Sequence, residues 1–542
     1  MLSTSSKNIT YDRMHIFRYV LMILVLVLPN TIANNFLAGW RGINASDHCS
    51  WYEITCNEAG SVVSVEFNCG NYYYDFPHDL GNLGFSSFPN LDRMVIESCR
   101  LEGSIPEQIG MLSNLSHLSL RGNNLNGTLP VSLTNLTKLV VLDLSGNNFT
   151  TTIPSQIGNL KSLSYLNLSQ NHFIGPIHSS LGSMFNLTYL DLSRNNFTGL
   201  IPSFLVTMLN LTYLDLSRNN VIGPIPSSLG SMVNLIYLDL SRNKFTRPIP
   251  SSLGTMVNLT YLDLSRNNFT GPIPSSLGSM VNLTYLDLSR NNFIGTIPSS
   301  FGSMFNLAHL DLRTNKLNGS IPQELSNLQN LEVLNFGDNN LSGPILLSFR
   351  NLSALKIINL DKNNFSGIIP LDITNLINLE HVDLNHNRLV GPVHPEFGKL
   401  PKLVYLDLSS NRLSGNVSFQ TPCSLKHLVL SKNLMTGVVK SLNVCKGLEY
   451  LDLSRNNFVG EELSSLDFLY LKFLDQSENH LTTIVPDAPP IQKTVHHMRL
   501  SYPTDRLIET EIIHVGQVAL SCVLKDPKDR PTMREVSQEL SC

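Results

Sequence analysis

The residue types with binding chemistry recur in this chain at a fixed interval. Tyr189, Asp191, Ser193 and Arg194 form one set, and the set returns every 24 residues until Arg290. Guanidinium forks and aromatic rings are groups that proteins use to hold extended peptides and anions. The pattern therefore predicts a binding groove. Its candidate contacts are Tyr213, Arg218, Tyr237, Arg242, Tyr261 and Arg266.

The same columns of residues also have a purely structural interpretation. Carboxylates stacked about 4.8 Å apart repel by about 1 kcal/mol even at the dielectric of water, so the arginines would act as counter-charges. The repeat itself accounts for Asp and Ser at these positions. Their presence is therefore no evidence for a nucleophilic catalytic triad. These residues alone do not decide between a structural role and a ligand-binding groove.

Positions that depart from the common set offer the local surface that a specific ligand requires. His117 and Arg121 lie before the uniform stretch, and further departures follow it. The later candidate contacts are Arg313, Asp338, Asp361, Lys362, His381 and His386. The last two histidines have no third ligand at a metal-binding spacing. We therefore expect no metal and no cofactor.

A strict sequence period must position these side chains. In Leu190-Asp191-Leu192 the alternation turns the leucines inward and Asp191 outward on a short strand. The Asn that closes each frame is polar but points into the stack, where its amide can bond unpaired backbone groups. The frame L-x-x-L-x-L-x-x-N has its Asn at Asn123, Asn147, Asn171, Asn195, Asn219, Asn243, Asn267, Asn291, Asn315, Asn339, Asn363, Asn387 and Asn411.

The second half of each unit reads F-x-G-x-I-P-x-x-L-G, as from Phe269 to Gly278. Gly and Pro there bend the chain around the far side. Period and pattern match the leucine-rich repeat, and the G-x-I-P half resembles its plant-specific class, over residues 89–486. The resemblance implies an α/β-type repeat solenoid, a right-handed leucine-rich-repeat superhelix with a concave parallel β-sheet.

Residues 34–88 precede the repeats and contain the phrase H-C-S-W-Y-E-I-T-C. This phrase resembles the amino-terminal cap of plant leucine-rich-repeat receptors, which covers the apolar end of the stack. The resemblance implies a disulfide between Cys49 and Cys56.

Four further cysteines of the predicted cap and repeats are less constrained. Cys69 and Cys99 stay undecided, because nothing local fixes the distance between them. Cys423 and Cys445 stand just before the strands of successive turns. We expect these last two to be free buried thiols.

The first 33 residues are typical of a secretory signal peptide. Lys7, Arg13 and Arg18 precede the apolar run of residues 19–28, and a small-residue site ends at Ala33. No later stretch reaches the roughly 18 consecutive apolar residues of a membrane span. We expect export to the apoplast.

Residues 487–498 join the repeats to a tail, residues 499–542, that lacks the period. The tail resembles the end of the kinase C-lobe in plant receptor-like kinases, and Arg530 matches the Arg that in the family pairs with the Glu of A-P-E. The Gly-rich loop, V-A-I-K, H-R-D and D-F-G, which position ATP and magnesium, are not in the sequence. We expect a chain that is not an enzyme.

Charge and sequons add two expectations about the surface. The net charge of -4 gives no basic excess of the kind that collects phosphates, so nucleic acid is not an expected partner. Asn167 has a sequon whose glycan would obstruct the groove. The candidate glycosylation sites are Asn44, Asn114, Asn126, Asn135, Asn148, Asn186, Asn196, Asn210, Asn258, Asn268, Asn282, Asn318, Asn340, Asn351, Asn364 and Asn416.

Taken with the resemblance, these features predict an extracellular ectodomain that binds a peptide or protein ligand. The family implies a receptor-like kinase at the plasma membrane as the full-length form, with a leucine-rich-repeat co-receptor as a further partner. The alternative is a secreted inhibitor or decoy that binds a cell-wall hydrolase.

Overall fold

The computed structural model describes residues 49, 53–70, 80, 84–345, 351–463, 468 and 470–482. The predicted signal peptide (1–33), junction (487–498) and kinase-like tail (499–542) lie outside these residues. Asn44 and much of the predicted cap (34–88) lie outside them too.

Each turn of the solenoid begins with a short strand whose Leu points inward. In Tyr213–Asp215, Leu214 is fully buried, whereas Tyr213 lies on the outer face and is partly exposed. From Val62–Asn68 onward successive strands pair in parallel and in register, so Tyr213 lies beside Tyr237, whereas the first strand, Ile54–Cys56, pairs antiparallel with the second. Among the described residues these strands form one 19-stranded sheet, the concave sheet, as predicted.

The strands of the concave sheet, in chain order, are Ile54–Cys56, Val62–Asn68, Arg93–Glu97, His117–Ser119, Val141–Asp143, Tyr165–Asn167, Tyr189–Asp191, Tyr213–Asp215, Tyr237–Asp239, Tyr261–Asp263, Tyr285–Asp287, His309–Asp311, Val333–Asn335, Ile357–Asn359, His381–Asp383, Tyr405–Asp407, His427–Val429, Tyr450–Asp452 and Phe473–Asp475.

A second set of strands follows in the F-x-G half of the turns; among the described residues it forms one ten-stranded and three two-stranded sheets, which we together term the second sheet. Gly271, with φ of +78°, shows why glycine is needed there: an added Cβ would lie 2.9 Å from Cγ of Pro248 in the preceding turn. Its strands are Asn126–Gly127, Asn148–Phe149, Ile174–Pro176, Asn196–Thr198, Ile222–Gly223, Lys244–Arg247, Asn268–Pro272, Asn292–Gly295, Lys316–Gly319, Asn340–Pro344, Asn364–Ile368, Arg388–Gly391, Arg412–Asn416, Leu434–Thr436, Val459–Glu461 and His480–Thr482.

The returning segments are short 3-10 helices, and no α-helix occurs in the described ranges. Pro274 precedes one of them in an extended conformation, and Leu277 is buried. The helices are Phe85–Ser87, Glu107–Met111, Val131–Asn135, Ser155–Asn159, Ser179–Ser183, Ser203–Thr207, Ser227–Ser231, Ser251–Thr255, Ser275–Ser279, Ser299–Ser303, Gln323–Asn327, Leu371–Asn375, Pro395–Lys399 and Val439–Val444.

The frame asparagines hold adjacent turns together, which confirms their predicted structural role. Nδ2 of Asn243 donates to the carbonyl oxygens of Leu216 (2.8 Å), Leu240 (3.2 Å) and Ser241 (3.1 Å). Its Oδ1 accepts the backbone N–H of Val221 at 3.0 Å. One buried side chain thus bonds two successive turns and satisfies their backbone polar groups.

The core is a stack of identical apolar layers. Leu262, Phe269, Leu277 and Leu283 are all fully buried, and the pattern repeats in neighbouring turns. Burial of each such side chain contributes about 1.5–3 kcal/mol. Because a single turn could not bury these faces alone, stability arises between neighbouring turns.

Three disulfides occur among the described cysteines. Cys49 bonds to Cys56, as the resemblance implied, and Cys69 bonds to Cys99. Cys423 bonds to Cys445, so the prediction of free thiols was wrong. Their Cα atoms lie 4.8 Å apart because the two residues occupy stacked positions, and this distance suits a disulfide.

Candidate ligand-binding face of the concave sheet

A continuous aromatic column runs along the outer face of the concave sheet. It consists of Tyr165, Tyr189, Tyr213, Tyr237, Tyr261, Tyr285 and His309, and we term it the Tyr column. Adjacent ring centroids lie 4.2–4.4 Å apart, with the rings nearly parallel. The rings therefore expose their edges and not their faces, because each face is covered by the neighbouring ring.

An in-register row of carboxylates accompanies the rings: Asp191, Asp215, Asp239, Asp263, Asp287 and Asp311, the Asp column. These residues are at most 8% exposed, although their sequence pattern predicted side chains turned to the open groove. Each carboxylate folds back onto its own chain. In Asp263, Oδ1 accepts the backbone N–H of Ser265 at 2.8 Å.

Burial changes the protonation of these carboxyl groups. It raises the pKa of Asp263 well above its usual value, and the neighbouring carboxylates of Asp239 and Asp287 raise it further. The same causes act on Asp215. The Asp column is thus a set of closely spaced, desolvated carboxyl groups, and full ionisation of all of them is unfavourable.

Arginines occupy the residue after the buried Ser in five successive turns. Arg194, Arg218, Arg242, Arg266 and Arg290, which we term the Arg column, have φ of +52° to +54°. The backbone N–H of Arg242 donates to the carbonyl oxygen of Ser265 in the next turn at 2.9 Å. Arg290 is exposed, and the other four are partly exposed.

The candidate contacts before the uniform stretch stay accessible. His117 is partly exposed, and desolvation followed by the charge of Arg93 lowers its pKa. Arg121 is exposed. These two residues lie on successive segments of one turn, and the strand Arg93–Glu97 separates that turn from the predicted cap.

The candidate contacts after the uniform stretch fall into two groups. Asp338 and His386 are exposed, and Asp361 and Lys362 form an ion pair with 3.6 Å between Oδ2 and Nζ. Arg313 is only 9% exposed, and its Nε lies 3.3 Å from Oδ2 of the fully buried Asp311. Arg313 therefore stabilises a buried carboxylate.

His381 is also buried, contrary to the prediction of a groove contact. It is 4% exposed, and its ring stacks on Tyr405 at 4.1 Å. Desolvation, followed by the charge of His427, lowers its pKa to about 3. His381 thus begins a second aromatic column, which continues through His427, Tyr450 and Phe473.

Sequence reasoning missed this second column and His309. Burial lowers the pKa of His309 to about 4, and its ring ends the Tyr column against Tyr285. The signal was present, because His309, His381 and Tyr405 stand at the same position of their turns as Tyr285.

The described residues contain no group of three or more His, Cys, Asp or Glu arranged to hold a metal ion. In the same part of the chain, no helix combines the length and apolar content that a membrane crossing requires.

Most of the described sequons are accessible. Nδ2 of Asn258 donates to the carbonyl oxygen of Val233, and the residue is exposed at the edge of the sheet. Asn114 and Asn364 are partly exposed, whereas Asn167 lies in the concave sheet and is 8% exposed. The exposed sequons are Asn126, Asn135, Asn148, Asn186, Asn196, Asn210, Asn258, Asn268, Asn282, Asn318, Asn340, Asn351 and Asn416.

Three family models match this architecture. The model Leucine rich repeat matches residues 89–149, 113–173, 185–245 and 281–341. Leucine Rich repeats (2 copies) matches residues 257–303, and Leucine Rich Repeat matches residues 354–376, 378–400 and 447–469. Together these ranges make up more than half of the chain. The chain belongs to the leucine-rich-repeat family.

Within the leucine-rich-repeat family, the solenoid is similar to ectodomains of plant receptors. A TDR receptor structure is 33% identical with a TM-score of 0.69, over 72% of this chain and 68% of that chain. The plant peptide hormone receptor RGFR1 in complex with RGF2 is 30% identical with a TM-score of 0.62, over 80% of this chain and 76% of that chain.

A curated relative matches a shorter stretch. The leucine-rich repeat receptor-like serine/threonine-protein kinase RGI4 of Arabidopsis thaliana is 31% identical over 84 residues. That stretch is 16% of this chain and 7% of the relative's length.

Proposed function

We propose that this chain is an extracellular receptor ectodomain that binds a peptide or protein ligand along the concave sheet. The observation that carries the proposal is the repeated outer face of five successive turns, in which Tyr edges and Arg side chains stand in register. A related solenoid is a peptide hormone receptor in complex with its ligand, which supports a peptide as the ligand class.

The proposal includes the cellular setting. The chain is exported to the apoplast, performs no catalysis itself, and presents an occupied groove to a leucine-rich-repeat co-receptor. The full-length form is a receptor-like kinase of the plasma membrane. The candidate contacts are the Tyr and Arg columns with His117, Arg121, Asp338, Asp361, Lys362 and His386 around them.

A random peptide library tests the groove, because it needs no named ligand. The full chain, secreted from plant or insect cells, is immobilised and used to select binders from random peptides displayed on phage. Binding of the selected peptides is then measured on the variant Arg242→Glu/Arg266→Glu. We expect a loss of about tenfold or more, because the two substitutions reverse the charge at two adjacent positions of the groove and replace attraction by repulsion at both.

The control carries the same charge change on the second sheet, in Lys244→Glu/Arg247→Glu, where both residues are exposed. Glu478 occupies the Arg position in a late turn with φ of +53°, so Glu is compatible with that backbone. Failure to select any peptide, or equal binding to both variants, would reject the concave site.

A further inference from the structure

Exposed apolar side chains form a row along the edge where the strands of the concave sheet begin. They occupy the same position in six successive turns, and each residue is 42–60% exposed. We term this row the edge stripe: Phe185, Leu209, Val233, Val257, Val281 and Phe305. At one strand spacing per turn it is about 24 Å long. Single exposed apolar residues are ordinary, but a contiguous row marks a surface that has a partner.

A groove lies beside this row, and we term it the edge groove. Its volume is about 740 Å³. It is lined in five successive turns, from Asn210 to Asn306, by the Asn that follows each stripe residue and by the residue two positions later. Cavities of about 300–1,000 Å³ hold a drug-sized ligand, and a disaccharide belongs to that size class.

Backbone hydrogen bonds fix the amides of these asparagines. Nδ2 of Asn258 donates to the carbonyl oxygen of Val233 at 2.9 Å, and Nδ2 of Asn282 donates to that of Val257 at 3.0 Å. Each amide nitrogen thus lies against the backbone of the stripe residue in the preceding turn. A substituent on this nitrogen begins within about one strand spacing of two exposed stripe residues.

The residue two positions after the Asn decides whether a sugar can be attached. Ile236 holds this position in the turn of Asn234, so that turn has no sequon. Ile236 is 46% exposed and lies in the edge groove. Thr holds the position in two turns on each side, where it completes the sequons of Asn186, Asn210, Asn258 and Asn282.

We propose that N-glycans on these four asparagines lie along the edge groove and cover the edge stripe, with the sugars on Asn210 and Asn258 packed against Ile236. A sugar ring suits this surface, because its C–H face packs on apolar side chains while its hydroxyl groups bond amide oxygens, Thr hydroxyls and water. The inference rests on the export that the proposed function includes, since these glycans are attached in the secretory pathway.

Attachment exchanges one bond on each reactant. The co-reactant is an oligosaccharide joined through a diphosphate to a membrane lipid. Its bond from C1 to the diphosphate oxygen breaks, the bond from C1 to Nδ2 forms, and one amide proton leaves with the lipid diphosphate. The second amide hydrogen stays on Nδ2, so the bond to the preceding turn can persist.

Glycopeptide mass spectrometry of the secreted full chain gives the first test. The four sequons form two pairs of adjacent turns, one on each side of Ile236: Asn186 with Asn210, and Asn258 with Asn282. We expect a glycan in each pair.

Hydroxyl-radical labelling then measures whether the sugars cover the edge stripe. The variant N258Q/N282Q keeps the first pair of glycans as an internal reference. Labelling of Val257 and Val281 should rise about twofold or more, because it follows the exposed apolar area. Labelling of Phe185 and Leu209 should stay at the parent's value. The variant N186Q/N210Q should show the reverse.

The matched control removes two sequons of the second sheet, in N126Q/N148Q. These asparagines are exposed, but they follow the buried residues Leu125 and Asn147 instead of an exposed apolar side chain. Labelling of the edge stripe should equal that of the parent. Circular dichroism checks the fold of each variant.

Loss of all four glycans should leave an exposed apolar surface that self-associates. Sedimentation velocity should show a monomeric parent and an associated N186Q/N210Q/N258Q/N282Q variant. Adding L209Q/V233Q/V257Q/V281Q should restore the monomer, and the exposed Gln329 at the stripe position of a later turn shows that Gln fits there. If the fourfold variant is not secreted, labelling of the two pair variants decides the inference.

Absence of a glycan from either pair, or unchanged labelling in the pair variants, overturns the inference. So does a glycosylated parent that already dimerises through the edge stripe, which would make the stripe an interface between copies of this chain. Retention of the parent inside the cells would reject the proposed export as well. Peptide binding enters none of these measurements, so the proposed concave site is tested separately.

Discussion

At the scale of single residues, the buried asparagines contribute more than their number suggests. Replacement of Asn243 by Ala would leave the buried N–H of Val221 without a partner, whereas the three carbonyl oxygens that Asn243 bonds each keep a second donor. One unsatisfied buried group costs about 1–3 kcal/mol. We expect Asn243→Ala to lower the unfolding free energy by about 1–3 kcal/mol, measured by urea denaturation.

Asn292→Ala is the matched control for this prediction. Asn292 begins a strand of the second sheet and is not fully buried. Its loss should change the unfolding free energy by less than about 0.5 kcal/mol. Similar effects for the two variants would contradict the assigned role of the frame Asn.

The period of the sequence predicted the role of Asn243 because its partners lie within its own and the adjacent turns. It could not predict that Asp191 and His381 are buried. Strand alternation places both residues on the outer face, but their exposure depends on side chains from the stacked neighbours. Nor could the period show that the Tyr rings cover one another, since ring orientation is a property of packing.

At the scale of elements, the Asp column should make the stability depend on pH. An unfolded Asp titrates near pH 3.9, whereas burial raises the folded-state pKa of Asp311 to about 8 and that of Asp263 well above its usual value. The folded state therefore binds more protons than the unfolded state between these values. The stabilisation is complete at low pH and is lost as the pH rises through the folded-state values.

We expect the unfolding free energy to fall between pH 7 and 8.5, by up to about 1.4 kcal/mol per pH unit for each titrating carboxyl group. In this window His309 and His381, with folded-state pKa values of about 4 and 3, are neutral in the folded state, and unfolded histidines, which titrate near pH 6.5, are mostly neutral and lose their remaining charge by about pH 8. Asp263→Asn/Asp311→Asn should flatten the slope, measured by thermal denaturation at several pH values. Asn167 stands at the position of its turn that corresponds to Asp263, and its Oδ1 accepts the backbone N–H of Ser169. An Asn side chain can therefore replace the Asp without loss of this hydrogen bond. An unchanged slope would mean that the Asp column does not titrate there.

The bond between Cys423 and Cys445 should hold the last turns together. Without it we expect a local loss of about 2–4 kcal/mol, because the loop between the two residues gains freedom in the opened state. Hydrogen exchange on Cys423→Ser/Cys445→Ser should be faster in residues 423–482 and unchanged in the central turns. Cys49→Ser/Cys56→Ser, at the other end, should affect only the region near the cap. Alkylation of Cys423 in the unreduced parent chain would contradict the bond.

At the scale of the whole molecule, the sequence was sufficient to predict the fold, but it predicted only the general location of the candidate site. A fixed period with inward leucines determines a stacked solenoid whichever ligand it binds, and the strand bounds follow the L-x-L pattern. The pairing of Cys423 with Cys445 was missed because it depends on the stacking of two particular turns. The accessible part of the face, with its Arg column and covered rings, emerged only from contacts between turns.

The in-register stacking of the uniform turns has an evolutionary consequence. Tyr213, Tyr237 and Tyr261 meet their neighbours through the same interfaces, so one 24-residue unit could be lost or duplicated without a new contact. Unequal recombination between such copies would shorten or lengthen the groove in whole steps. Alleles with different numbers of repeats would then bind ligands of different length through the same side chains. Ligand specificity would change with the number of repeats as well as with substitutions.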